Sequence, residues 1–137
     1  MVRAYLEDEP GHDEMRALLA AEDEDLITGS WTRIEVTGAL VRAGRRGRVA
    51  AATLLASLEA DLSPEGPITL VEAPPGDVET AALSLVREHG LRPLDAWHLS
   101  TARLTVPSLA EGGEQVAFAT RDEEQGAVAE SLGFARV

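Results

Sequence analysis

A chain of 137 residues is long enough to bury one hydrophobic core and is expected to form a single domain over residues 1–137. With 45% hydrophobic residues, 26% charged residues and no cysteine, it excludes disulfides, thiol nucleophiles and thiolate zinc sites, and no apolar run reaches the roughly 18 residues of a membrane span. The net charge of −12 repels nucleic acid unless basic groups cluster or a cation is held between acids and phosphate.

The N-terminal stretch turns acidic at Glu7-Asp8-Glu9 and has neither the apolar core nor the cleavage site of a secretory signal, so a cytoplasmic protein is expected. Met1 to Leu6 reads as the end of a short helix. After Pro10-Gly11, the spacing of Met15, Leu18 and Leu19 predicts a helix over His12 to Glu22, and Leu26-Ile27-Thr28 reads as a short strand. A second helix is predicted from Trp31 to Ala43, stopped by Gly44, and a third from Val49 to Ala60. Ile68-Thr69-Leu70-Val71 has the β-branched density of a buried strand, closed by Pro74-Pro75-Gly76. Helices follow over Asp77 to Glu88 and from Pro93 to Leu104, then a strand over Val116 to Ala119, a helix over Asp122 to Leu132 ended by Gly133, and a last strand over Phe134 to Val137. Alternating helices and strands with short connections imply an α/β domain with a mainly parallel sheet.

Three carboxylates fall at or just beyond strand ends, where an open α/β sheet gathers ligands: Glu35, Asp95 and Asp122. Each has an ordinary explanation. Thr32-Arg33-Ile34-Glu35 and Asp122 with Gln125 both match capping boxes, and Asp95 at a helix start gains from the helix dipole. Taken together they have a chemical one, because crowded carboxylates stay ionised only around a cation, and Mg2+ or Mn2+ prefers such oxygen ligands. A metal so held can activate water against a phosphodiester. Thr120 and His98 are candidate supporting residues: threonine for a phosphate or a ligand carboxylate, histidine one turn after Asp95. No histidine pair has metal-ligand spacing and no serine sits in a nucleophile elbow. All twelve basic residues are arginine, and Arg42, Arg45, Arg46 and Arg48 form either a solvated helix end or a patch that contacts RNA phosphates. The absence of lysine argues against a phosphoacceptor receiver domain and a P-loop enzyme.

These residues resemble the PIN-domain family, in particular its VapC-type toxins. Tyr5-Leu6 with Glu9-Pro10-Gly11 is similar to the family's first helix and loop, and Glu35 with Val36 and Ala39-Leu40 to its glutamate segment. Leu91-Arg92-Pro93-Leu94-Asp95-Ala96-Trp97-His98-Leu99 is similar to the third acidic motif, and Phe118-Ala119-Thr120-Arg121-Asp122 to the fourth. The resemblance implies a three-layer α/β/α fold and an endoribonuclease dependent on Mg2+ or Mn2+. Glu35, Asp95 and Asp122 are then its metal-site and catalytic acids. It also implies the toxin component of a type II toxin–antitoxin system, an RNA substrate, a small cognate antitoxin and a homodimer. The family's first strand, ending in an aspartate, has no counterpart before Met1, and the expectation is a form weakened in metal binding and in cleavage. The alternative is a catalytically impaired interaction module that binds an antitoxin without cleaving RNA.

Overall fold

Glycine and proline set several element boundaries in the computed structural model, which describes residues 1–21 and 24–136. The chain divides into two compact units, residues 1–70 and 71–137, each with its own core.

The first unit opens with a 3-10 turn (Val2–Ala4) and continues through α1 (His12–Leu19), β1 (Leu26–Gly29), α2 (Trp31–Arg45), α3 (Ala51–Asp61) and all but the last residue of β2 (Ile68–Val71). Helix α1 is shorter than its apolar spacing suggested, because Ala20 already caps it; Glu22, the predicted last residue, lies outside the described residues. Helix α2 runs past Gly44, which the sequence marked as its terminator. Its end is a Schellman motif around Gly47 (φ +70°), with the Gly47 amide donating to the Gly44 carbonyl (2.9 Å) and the Arg48 amide to that of Ala43 (3.1 Å). Gly44 has a different task. A Cβ there would lie 2.6 Å from the Ala51 Cβ, so the missing side chain is what lets α2 and α3 approach each other. Tyr5, Leu6, Val36, Leu40, Leu58 and Ile68 fill the core between these elements, and Arg33 of α2 pairs with Glu59 of α3 at the surface.

The buried Tyr5 donates its hydroxyl proton to Asp61 Oδ2 (2.8 Å), fastening the chain start to the end of α3. Burial first, and the bond to Asp61 second, push the phenol well above its ordinary value of 10.0. The folded state thus favours the neutral phenol. Its contribution to stability is complete below the ordinary tyrosine value and is lost as pH rises from there toward the folded value. Tyr5→Phe should cost about 1 kcal/mol at neutral pH and should flatten the alkaline decline in stability. Urea denaturation of both forms at neutral pH and about one unit above the ordinary value checks this; parallel losses would refute the assignment.

The second unit contains α4 (Pro75–His89), α5 (Pro93–Thr105), a 3-10 turn (Val106–Ser108), β3 (Ala117–Phe118), α6 (Glu123–Ser131) and β4 (Ala135–Arg136). Pro75, read from sequence as closing the preceding strand, is instead the first residue of α4, where its missing amide hydrogen costs nothing. Leu85, Leu91, Ala96, Leu99, Val128 and Phe134 pack between α4, α5 and α6. The last strand is shorter than predicted because Phe134 belongs to the cap of α6: Gly133 (φ +95°) donates to the Glu130 carbonyl (3.0 Å) and Phe134 to that of Ala129 (3.1 Å). Val137 lies outside the described residues. The Phe134 ring meets Phe118 with centroids 5.9 Å apart.

The described strands pair as two ladders, β1 with β2 and β3 with β4. The second is parallel, with Ala117 opposite Ala135 and Phe118 opposite Arg136, and the Ala135 amide extends it to the Val116 carbonyl (2.9 Å). Among the described residues no helix is long and apolar enough to cross a membrane.

Candidate active site

Glu35 lies in the second turn of α2 and is half-buried. The capping-box explanation for it fails. The helix begins two residues earlier than that box requires, Ser30 is the N-cap, and the Thr32 hydroxyl is hydrogen-bonded to the Thr28 hydroxyl (2.7 Å). The Met1 amino group feels the charge of Glu35: burial and Arg3 lower its pKa, and Glu35 opposes them. Arg42 reaches back over Gly38, its Nη1 3.1 Å from where a Cβ would stand.

In the second unit Asp95 occupies the first turn of α5, after an extended Arg92 and Pro93. Asp122 is the N-cap of α6, with extended backbone and its Oδ1 accepting from the Gln125 amide (2.9 Å). The reciprocal arm of the expected capping box is replaced by a longer path. The Asp122 amide donates to Thr120 Oγ1 (3.1 Å), and Thr120 donates in turn to Gln125 Oε1 (2.6 Å). The other end of the same amide group, Gln125 Nε2, donates to the backbone carbonyl of Asp95 (3.1 Å). One buried glutamine therefore ties together the helix starts that carry Asp95 and Asp122, with Thr120 as its support. Sequence reasoning missed Gln125 in this role. The available signal was a polar residue on the buried side of α6, beside Gly126, Val128 and Ala129.

The other candidates fall as follows. His98 is half-buried on α5, one turn beyond Asp95. Arg42 and Arg45 end α2 and Arg46 caps it, all three exposed. Arg48 is engaged elsewhere, bonding Asp8 Oδ2 (2.6 Å) and Glu9 Oε1 (3.1 Å), and it holds the Asp8 carboxyl below its ordinary range. An open depression of about 630 Å3, lined by Arg103, Glu114, Val116, Leu132 and Phe134 among others, lies toward the C-terminal ends of α5 and α6, away from their acidic starts.

In kind, the three acids suit a hard divalent cation, since they offer oxygen and the chain has no thiol. In number, neither unit taken alone gathers three histidine or carboxylate side chains about one point, among the described residues.

The sequence model of the PIN domain family matches residues 1–131, a span that takes in every acid discussed above. The chain belongs to the PIN domain family. No curated protein and no solved structure matches it. Membership gives this PIN domain an α/β nuclease-type fold, and nucleases of the family generally use divalent metal ions.

Proposed function

We propose that this PIN domain, both units together as one domain, is a divalent-metal-dependent endoribonuclease and the toxin of a type II toxin–antitoxin pair. The observation that carries the reading is the joining of Asp95 and Asp122 through Gln125 in a chain matched to the family over residues 1–131. Asp95 and Asp122 would hold Mg2+ or Mn2+, and Glu35 is the third acid by its sequence motif. A bound ion there supplies Lewis acidity and a water of lowered pKa. The protein's own part is to hold the two acids at the starts of helices α5 and α6. Gln125 fixes their spacing without neutralising either, since it binds one through a backbone carbonyl and the other through a neutral amide.

The order of the four motifs supports the VapC-type assignment, and with it a small cognate antitoxin, a homodimer and a cytoplasmic location. The purified protein should cleave RNA in Mn2+ or Mg2+ and stop when the metal is chelated. Its expression should arrest growth until a small protein encoded beside it is supplied. Cleavage undiminished by chelator would reject metal dependence. Binding of the small partner with no cleavage in any metal would favour the second reading, an impaired interaction module.

A further inference from the structure

Helix α2 presents a face that neither its core contacts nor its candidate acid explains. Thr32, Val36, Leu40 and Ala43 turn inward, whereas Trp31, Ile34, Gly38, Arg42 and Arg45 lie with Glu35 in one sector of about 100° on the other side. Trp31 and Ile34 are 43% and 62% exposed, an unusual expense of apolar surface at the start of a helix. Arg42 and Arg45 stand at the far end of the same face without an ion pair among the described residues, unlike Arg33 and Arg48, which are paired with carboxylates. In a chain of net charge −12, cations on the same helix face as an exposed indole, with no ion pair among the described residues, form a local exception to a repulsive field.

We propose that this face is a binding strip for single-stranded RNA, with one base stacked on Trp31 and backbone phosphates further along the strand held by Arg42 and Arg45 at the other end of the helix. An indole offers every base a flat apolar surface, and arginine binds phosphate through a rigid fork. Stacking on Trp31 requires an unpaired base, so the strip selects single strands over duplex. Gly38 leaves room for the Arg42 guanidinium to lie back along the helix toward Trp31. A protein partner would also cover Trp31 and Ile34, but the bare arginines favour a polyanion. The inference rests on the ribonuclease reading and assigns its substrate a place.

The test uses a short unstructured RNA oligonucleotide and the full chain, with chelator present so that the RNA stays intact. Trp31→Ala should weaken binding about 5- to 150-fold and Trp31→Phe much less, both with an unchanged salt dependence. Arg42→Ala with Arg45→Ala should lower the slope of log affinity against log salt by about 0.7 per arginine. Photocrosslinking of the wild-type chain to 5-iodouridine-substituted RNA should map to Trp31, a readout independent of how well the variants fold. If the wild type cleaves RNA while Trp31→Ala binds it equally well and the crosslink maps elsewhere, the strip is refuted and the nuclease reading stands. If the wild type neither binds nor cleaves RNA, both fall. If Trp31→Ala instead dissociates a dimer without changing RNA affinity, the face is a protein interface and the proposal is overturned.

Discussion

Replacing Asp122 with asparagine is expected to reduce RNA cleavage at least about a hundredfold while leaving the start of α6 intact. Asparagine caps helices as well as aspartate does, so its Oδ1 still accepts the Gln125 amide, and unfolding free energy should move by less than about 1 kcal/mol. What it removes is the negative charge. Asp122→Ala removes both cap and charge and should cost about 1 kcal/mol of stability besides the activity. Asp95→Asn belongs in the same series. Its backbone carbonyl, which receives Gln125, is untouched, so only the carboxylate's role changes. Denaturant titrations beside cleavage assays separate the two effects; an Asp122→Asn or Asp95→Asn protein with full activity would remove that acid from the catalytic group.

Gln125→Ala is the second large expectation, and here the damage is structural first. Truncation leaves the Thr120 hydroxyl without its acceptor, removes the bond that Gln125 makes to the Asp95 carbonyl, and opens a small void on the buried side of α6. The loss should be about 2 to 3 kcal/mol. With the two helix starts released, metal affinity should fall about 10- to 100-fold, the usual consequence of deleting a residue that orients ligands. Both numbers are measurable on one protein, by urea unfolding and by Mn2+ titration. A Gln125→Ala form with wild-type stability would show that the network is ornamental.

The succession of elements was readable because each carries its own local signal: apolar spacing in α4 and α5, β-branched density in β2, glycine at the end of α6. The α/β class and the family followed from that succession and from four short motifs. The errors share one cause. Gly44 looked like a terminator because sequence cannot display Ala51 pressed against it, and the real stop is three residues further on. Thr32 and Glu35 matched a capping box, yet the Thr32 hydroxyl is taken by Thr28. Arg48 looked like a member of a basic cluster until the fold brought Asp8 and Glu9 to it from about forty positions away. At the site, Asp95 and Asp122 were legible as acids at helix starts. Gln125 was not, because its partner is a backbone carbonyl thirty positions upstream, and main-chain atoms leave no trace in residue identity.

The contact between Gly44 and Ala51 has a consequence for genetics. Helices α2 and α3 meet there with no slack, so any side chain at position 44 must pry them apart and tilt the whole outward face of α2 with it. On the proposed toxin reading, a screen for variants that no longer arrest growth would collect Gly44 substitutions beside those of the acids, and the two groups would look alike on a plate. Only their melting curves would tell a broken hinge from a missing ligand.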